Sequence, residues 1–107
     1  MSKVKITCFH FWSDWTDMTP REIDLDEWNW FELQYRCDLW YIIGSKYNQK
    51  QDKWYKQELA DNGVVSKHEL AKFVKAAGAK INKISTNNFK SDLVKKTAEL
   101  YEALKSL

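Results

Sequence analysis

Proline occurs once in this 107-residue chain, glycine three times and cysteine twice. Each scarcity excludes something. So little Gly and Pro leaves few tight turns for a many-stranded sandwich or barrel, and favours helices. Cys8 and Cys37 form no C-x-x-C pair, so buried, reduced thiols are expected rather than a disulfide. No apolar run is long enough to span a membrane, and the start, MSKVKITCFHFW, has no unbroken apolar stretch of signal-peptide length. A non-exported, cytoplasmic protein with no membrane partner is expected.

Catalytic signatures are missing as well. There is no G-x-S-x-G, no glycine-rich phosphate loop, no H-E-x-x-H and no dinucleotide fingerprint. Cys8 and His10 are two apart on an extended segment, hence on one face, and with Cys37 and His68 they make a Cys₂His₂ set. Their spacing matches no zinc finger, so ordinary core roles are expected, with no metal and no cofactor. Asp24, Asp26 and Glu27 read as charges at a helix start rather than a catalytic carboxylate pair. The expectation is a protein that is not an enzyme.

Aromatics are what the chain has in abundance: six Trp, five Tyr and five Phe. With 44% hydrophobic and 30% charged residues, it reads as one globular domain over 1–107. Charge is unevenly spread. Residues 1–44 carry a net −4 and residues 45–107 a net +6, the latter entirely from lysine.

Along the chain, Val4, Ile6 and Cys8 alternate with Lys3, Lys5 and Thr7, the period of a strand. Residues 21–25, REIDL, alternate again and are expected to pair with it. From Asp24-x-x-Glu27 onward a helix is predicted. Trp28, Phe31, Tyr35, Leu39 and Ile42 form one helical stripe, and Trp30, Leu33, Cys37 and Trp40 or Tyr41 a second. Residues 46–61 read as a polar helix. Lys46, Lys50, Lys53 and Lys56 make a basic strip along it, with Trp54 and Tyr55 mixed in. Ser66 and Glu69 form a capping box that opens a helix over 67–77, AKINKISTNN is a polar connection, and a last helix covers about 88–106. The expected architecture is therefore α+β: a short N-terminal antiparallel strand pair, then about four α-helices around one aromatic-rich core.

Residues 66–106 resemble helix–extended–helix DNA-binding modules in Ser66-Lys67-His68-Glu69-Leu70 and Lys90-Ser91-Asp92-Leu93-Val94. The long AKINKISTNN connection departs from that pattern. The resemblance implies contact with nucleic acid through the lysine-rich half, whose lack of arginine argues against base reading.

Two functions follow. The first is a small inhibitor or adaptor, of a kind common in phages and mobile elements. Its partner is another protein, bound through Trp15, Trp30, Trp40, Tyr41, Trp54 and Tyr55. The second is a nucleic-acid-binding protein using the lysines of 46–56 and 67–96. Homo-oligomerisation through the aromatic surface is compatible with either.

Overall fold

A computed structural model describes residues 2–9, 18–60 and 62–107. The expected strand pair forms. Strands β1 (Lys3–Phe9) and β2 (Met18–Asp24) run antiparallel, with Val4 opposite Ile23 and Ile6 opposite Arg21. Trp12 and Trp15 lie outside the described residues, as does His10.

The four helices expected after this pair are not there. The described residues hold six strands in two sheets and two α-helices. Residues 26–43, read as a helix, instead contribute β3 (Trp30–Arg36) and the start of β4 (Leu39–Asn48). Residues 46–58, within the segment read as a polar helix, form the rest of β4, a turn and β5 (Lys53–Glu58). The two regions read as helices in the C-terminal half do form, as α1 (Lys67–Ala77) and α2 (Lys90–Lys105). Between them the supposed connection contains a sixth strand, β6 (Ile81–Thr86). It runs parallel to β3, giving the sheet order β5-β4-β3-β6.

Period two explains the outcome. Phe31, Leu33 and Tyr35 alternate along β3, and β4 sets Gly44, Ile42 and Trp40 opposite them on the same face. All six are buried. That face is covered by the helices, where Phe73 of α1 meets Phe31 edge-on at 5.0 Å. Leu70, Ala71 and Ala77 of α1 and Leu100 and Ala103 of α2 complete the layer. The core is mostly aliphatic rather than an aromatic cluster.

Residues 62–65 tie the two sheets together. Val64 bridges Cys8 on one side and Trp40 on the other, and its N–H donates to the Trp40 carbonyl at 2.8 Å. The neighbouring Gly63 has φ 111°, and a Cβ there would lie 3.0 Å from the Leu39 side chain, so glycine suits both demands. Ser66 caps α1 as expected, its hydroxyl accepting from the Glu69 N–H at 3.3 Å. No helix among the described residues is long and apolar enough to cross a membrane.

Candidate binding face

Because strand side chains alternate, burying Phe31, Leu33 and Tyr35 turns Trp30, Glu32, Gln34 and Arg36 to the opposite face. Register extends that outer row across the sheet. Trp30 lies opposite Ser45, which lies opposite Lys56; Tyr47 lies opposite Trp54; Lys83 of β6 lies beside Glu32. Both helices occupy the inner side, so among the described residues nothing covers these rings. Trp30 is 42% exposed, Tyr47 38% and Trp54 51%.

Two clefts flank them. A cleft of about 410 Å³ is lined by Trp30, Glu32, Ser45, Trp54, Lys56, Asn82 and Lys83. Ser45 lies in the cross-strand row between Trp30 and Lys56, and its short side chain leaves space there that a larger residue would fill. The Tyr47 and Trp54 rings pack 5.4 Å apart at 50°, a cross-strand aromatic pair that stiffens the wall. A second cleft, about 720 Å³, lies at the β4–β5 turn and is lined by Lys46, Tyr47, Asn48, Gln49, Lys50 and Tyr55. Neither is lined by Cys or His.

The electrostatics of this end are one-sided. Its acids are occupied within the fold: Glu27 pairs with Lys46 at 3.0 Å, Glu58 pairs with Arg36, and Asp52 accepts from the Tyr47 hydroxyl. Glu32 is pushed up by burial, but hydrogen bonds from Gln34 and Ser85 and the charges of Lys83 and Lys56 outweigh this. Its carboxyl therefore sits below the ordinary glutamate value and stays ionised at neutral pH. Lys50, Lys53, Lys56 and Lys83 have no ion-pair partner among the described residues.

The expected contact residues are dispersed by this geometry. Trp30 and Trp54 share a cleft, while Tyr41 is half-buried beneath the Arg36 guanidinium, 4.1 Å from its ring centre. Tyr55 projects from the other face of β5, next to Lys53. Trp40, at 6% exposure, belongs to the core against Tyr35 and has no surface to offer a partner. Trp15 lies outside the described residues. The basic strip is no strip. Strand alternation sends Lys56 to the outer face and Lys46 and Lys53 to the inner, with Lys50 in the turn. Its helical spacing is a coincidence of a hairpin sequence.

Lys83 falls among the lysines of 67–96 expected for nucleic acid, whereas Tyr47, Ser45 and Asn82 belong to the clefts without having been expected there. Reading 53–58 with period two would have set Trp54 and Lys56 on one face and drawn attention to their cross-strand partners. Of the Cys₂His₂ set, Cys8 is buried in β1, Cys37 is exposed in the β3–β4 turn and His68 is exposed on α1. Among the described residues no three His, Cys, Asp or Glu side chains are grouped to hold a metal.

Comparison with protein-family models, with curated proteins and with solved structures finds no match for this chain.

Proposed function

We propose that this is a non-catalytic binding protein that holds single-stranded nucleic acid on the outer face of its sheet and the adjoining β4–β5 hairpin. The observation that carries this reading is the group of unpaired lysines around exposed rings. Lys56 and Lys83 lie beside Trp30 and Trp54 on the outer face, Lys50 and Lys53 sit on the adjoining β4–β5 hairpin, and the acids nearby are already engaged. Single-strand binding needs these two ingredients, positive charge for phosphates and ring faces for bases. A protein partner would make good use of the tryptophans, but lysine is depleted in protein interfaces and costly to desolvate. With Arg36 engaged by Glu58, the free cations here are lysines, which contact phosphate as point charges, and this fits weak sequence preference. Work in a reducing, cytoplasmic compartment fits the exposed Cys37 thiol.

Titration with single-stranded DNA and RNA, followed by tryptophan fluorescence, tests the reading. Binding should tighten as salt falls, with a log–log slope of about −2 to −3 for four phosphate contacts on single strands. Trp54→Ala should weaken it by roughly tenfold or more. Absence of binding to every oligonucleotide at low salt would refute the proposal and return the aromatic face to a protein partner.

A further inference from the structure

Among the described residues, exposed apolar side chains occur in a second place. Phe89, Val94, Tyr101 and Leu107 all lie on α2 or at its ends, with Val94 69% and Tyr101 55% exposed. One face of α2 is spent on the core through Leu93, Leu100, Ala103 and Leu104. Val94, Ala98 and Tyr101, at i, i+4 and i+7, form another stripe about a third of a turn away. Ala98 at its middle is small enough to let a second helix come close. The stripe is flanked on one side by Lys95 and Glu102, both exposed.

These flanking charges point to the occupant. They are seven residues apart and opposite in sign, on the same side of the stripe. When two copies of a helix pack antiparallel about a two-fold axis, each flank faces its own equivalent, and residues equally far from the axis meet. An axis between Ala98 and Glu99 sets Lys95 of one copy against Glu102 of the other, twice. Lys95 has no ion-pair partner among the described residues, and Glu102 reaches only Lys105 at 3.6 Å, both side chains being highly exposed. Both flanking groups are thus available.

We infer that the protein forms a two-fold homodimer by antiparallel pairing of α2, with Val94, Ala98 and Tyr101 in the seam and reciprocal Lys95–Glu102 ion pairs at its edge. The surface is self-complementary in charge as well as in apolar character, which a surface for an unrelated partner has no reason to be. A single 16-residue helix makes a small interface, so the dimer should be of roughly micromolar affinity rather than nanomolar. The open sheet faces lie on the side of each subunit away from the helices. Pairing through α2 leaves them free, and the inference does not rest on what they bind.

Sedimentation equilibrium under reducing conditions, up to about 500 μM, decides it, because an interface of this size should show dimer well below that concentration. Ala98→Glu places like charges on either side of the axis at an exposed position. It should be monomeric throughout, with helical circular dichroism in dilute solution unchanged. Lys95→Glu and Glu102→Lys should each weaken the dimer by roughly tenfold, since two attractive pairs become repulsive. The double variant Lys95→Glu/Glu102→Lys exchanges the charges and should restore it. A wild-type monomer at the highest concentration overturns the inference. So does a dimer that survives Ala98→Glu, or one that the charge exchange fails to restore.

Discussion

Gly44 shows how much one hydrogen atom can matter in this fold. It lies on the inner face of β4, and the Trp28 indole rests on it so closely that a Cβ would come within 2.6 Å of the ring. Trp28 belongs to no strand or helix. It is held by the contact with Gly44, by Lys46, whose ammonium is 4.9 Å from the ring centre, and by Lys80, which donates to the Trp28 carbonyl at 3.0 Å. A methyl group at position 44 has to displace the indole or the strand. Gly44→Ala should cost about 2 kcal/mol, seen as a lowered midpoint in thermal or urea unfolding. Nothing in the sequence distinguishes this glycine from the other two. What sets it apart is a ring sixteen residues earlier that only the folded chain brings over it.

At the scale of elements, the β3–β4 hairpin explains why turns were underestimated. Its two turn residues are Cys37 and Asp38, with φ of 51° and 63°, a conformation that usually calls for Asn-Gly. The β4–β5 turn likewise has Asp52 at φ 49°, and the Asn48 side chain shapes the turn by accepting from the Lys50 and Gln51 N–H groups. Scarce glycine therefore did not mean scarce turns; non-glycine residues are held in the left-handed region by the sheet around them. Cys37→Asn should relax the strain and stabilise the protein by about 0.5 kcal/mol, raising the melting midpoint by roughly 2–4 °C. The helical misreading of 26–43 has a related cause. Alternation in β3 and β4 is masked because the outer face also carries apolar groups, Trp30, Tyr41 and Ile43, so that several periods fit. Where the outer face is polar, as in α1, the period was unambiguous and the helix was read to the residue.

At the scale of the whole molecule, two glutamates join separate elements. Glu32 on β3 accepts from the Ser85 hydroxyl of β6 at 2.8 Å and faces Lys56 of β5. Glu69 on α1 accepts from the Thr7 hydroxyl of β1 at 3.1 Å and pairs with Lys72. In both, burial raises the carboxyl but hydrogen bonds and neighbouring lysines outweigh it, so each sits below its ordinary value of 4.5. A depressed carboxylate contributes stability that is complete above the unfolded value and is lost as pH falls through the folded one. The melting midpoint should hold from neutrality down to about pH 5 and drop below pH 4.5, to an extent that grows with each such carboxylate. The Glu32→Gln/Glu69→Gln variant should melt lower at neutral pH and show a flatter acid limb in a midpoint-versus-pH series.

By itself, the sequence determined the local signals: the alternation of residues 3–8, the Ser66 cap with its helix, the extent of the last helix, and an excess of aromatics and lysines. These depend on neighbours a few positions apart, which any stretch of chain carries with it. Only the tertiary structure decided which tryptophans face water. Trp40 and Trp54 look alike in sequence, yet pairing with Tyr35 and cover by Val64 bury one, while the uncovered outer face exposes the other. The same holds for the lysines, whose grouping around Trp30 and Trp54 comes from strand register between β3, β4, β5 and β6. Register is a property of distant segments meeting, and a shift of one residue would reverse every face.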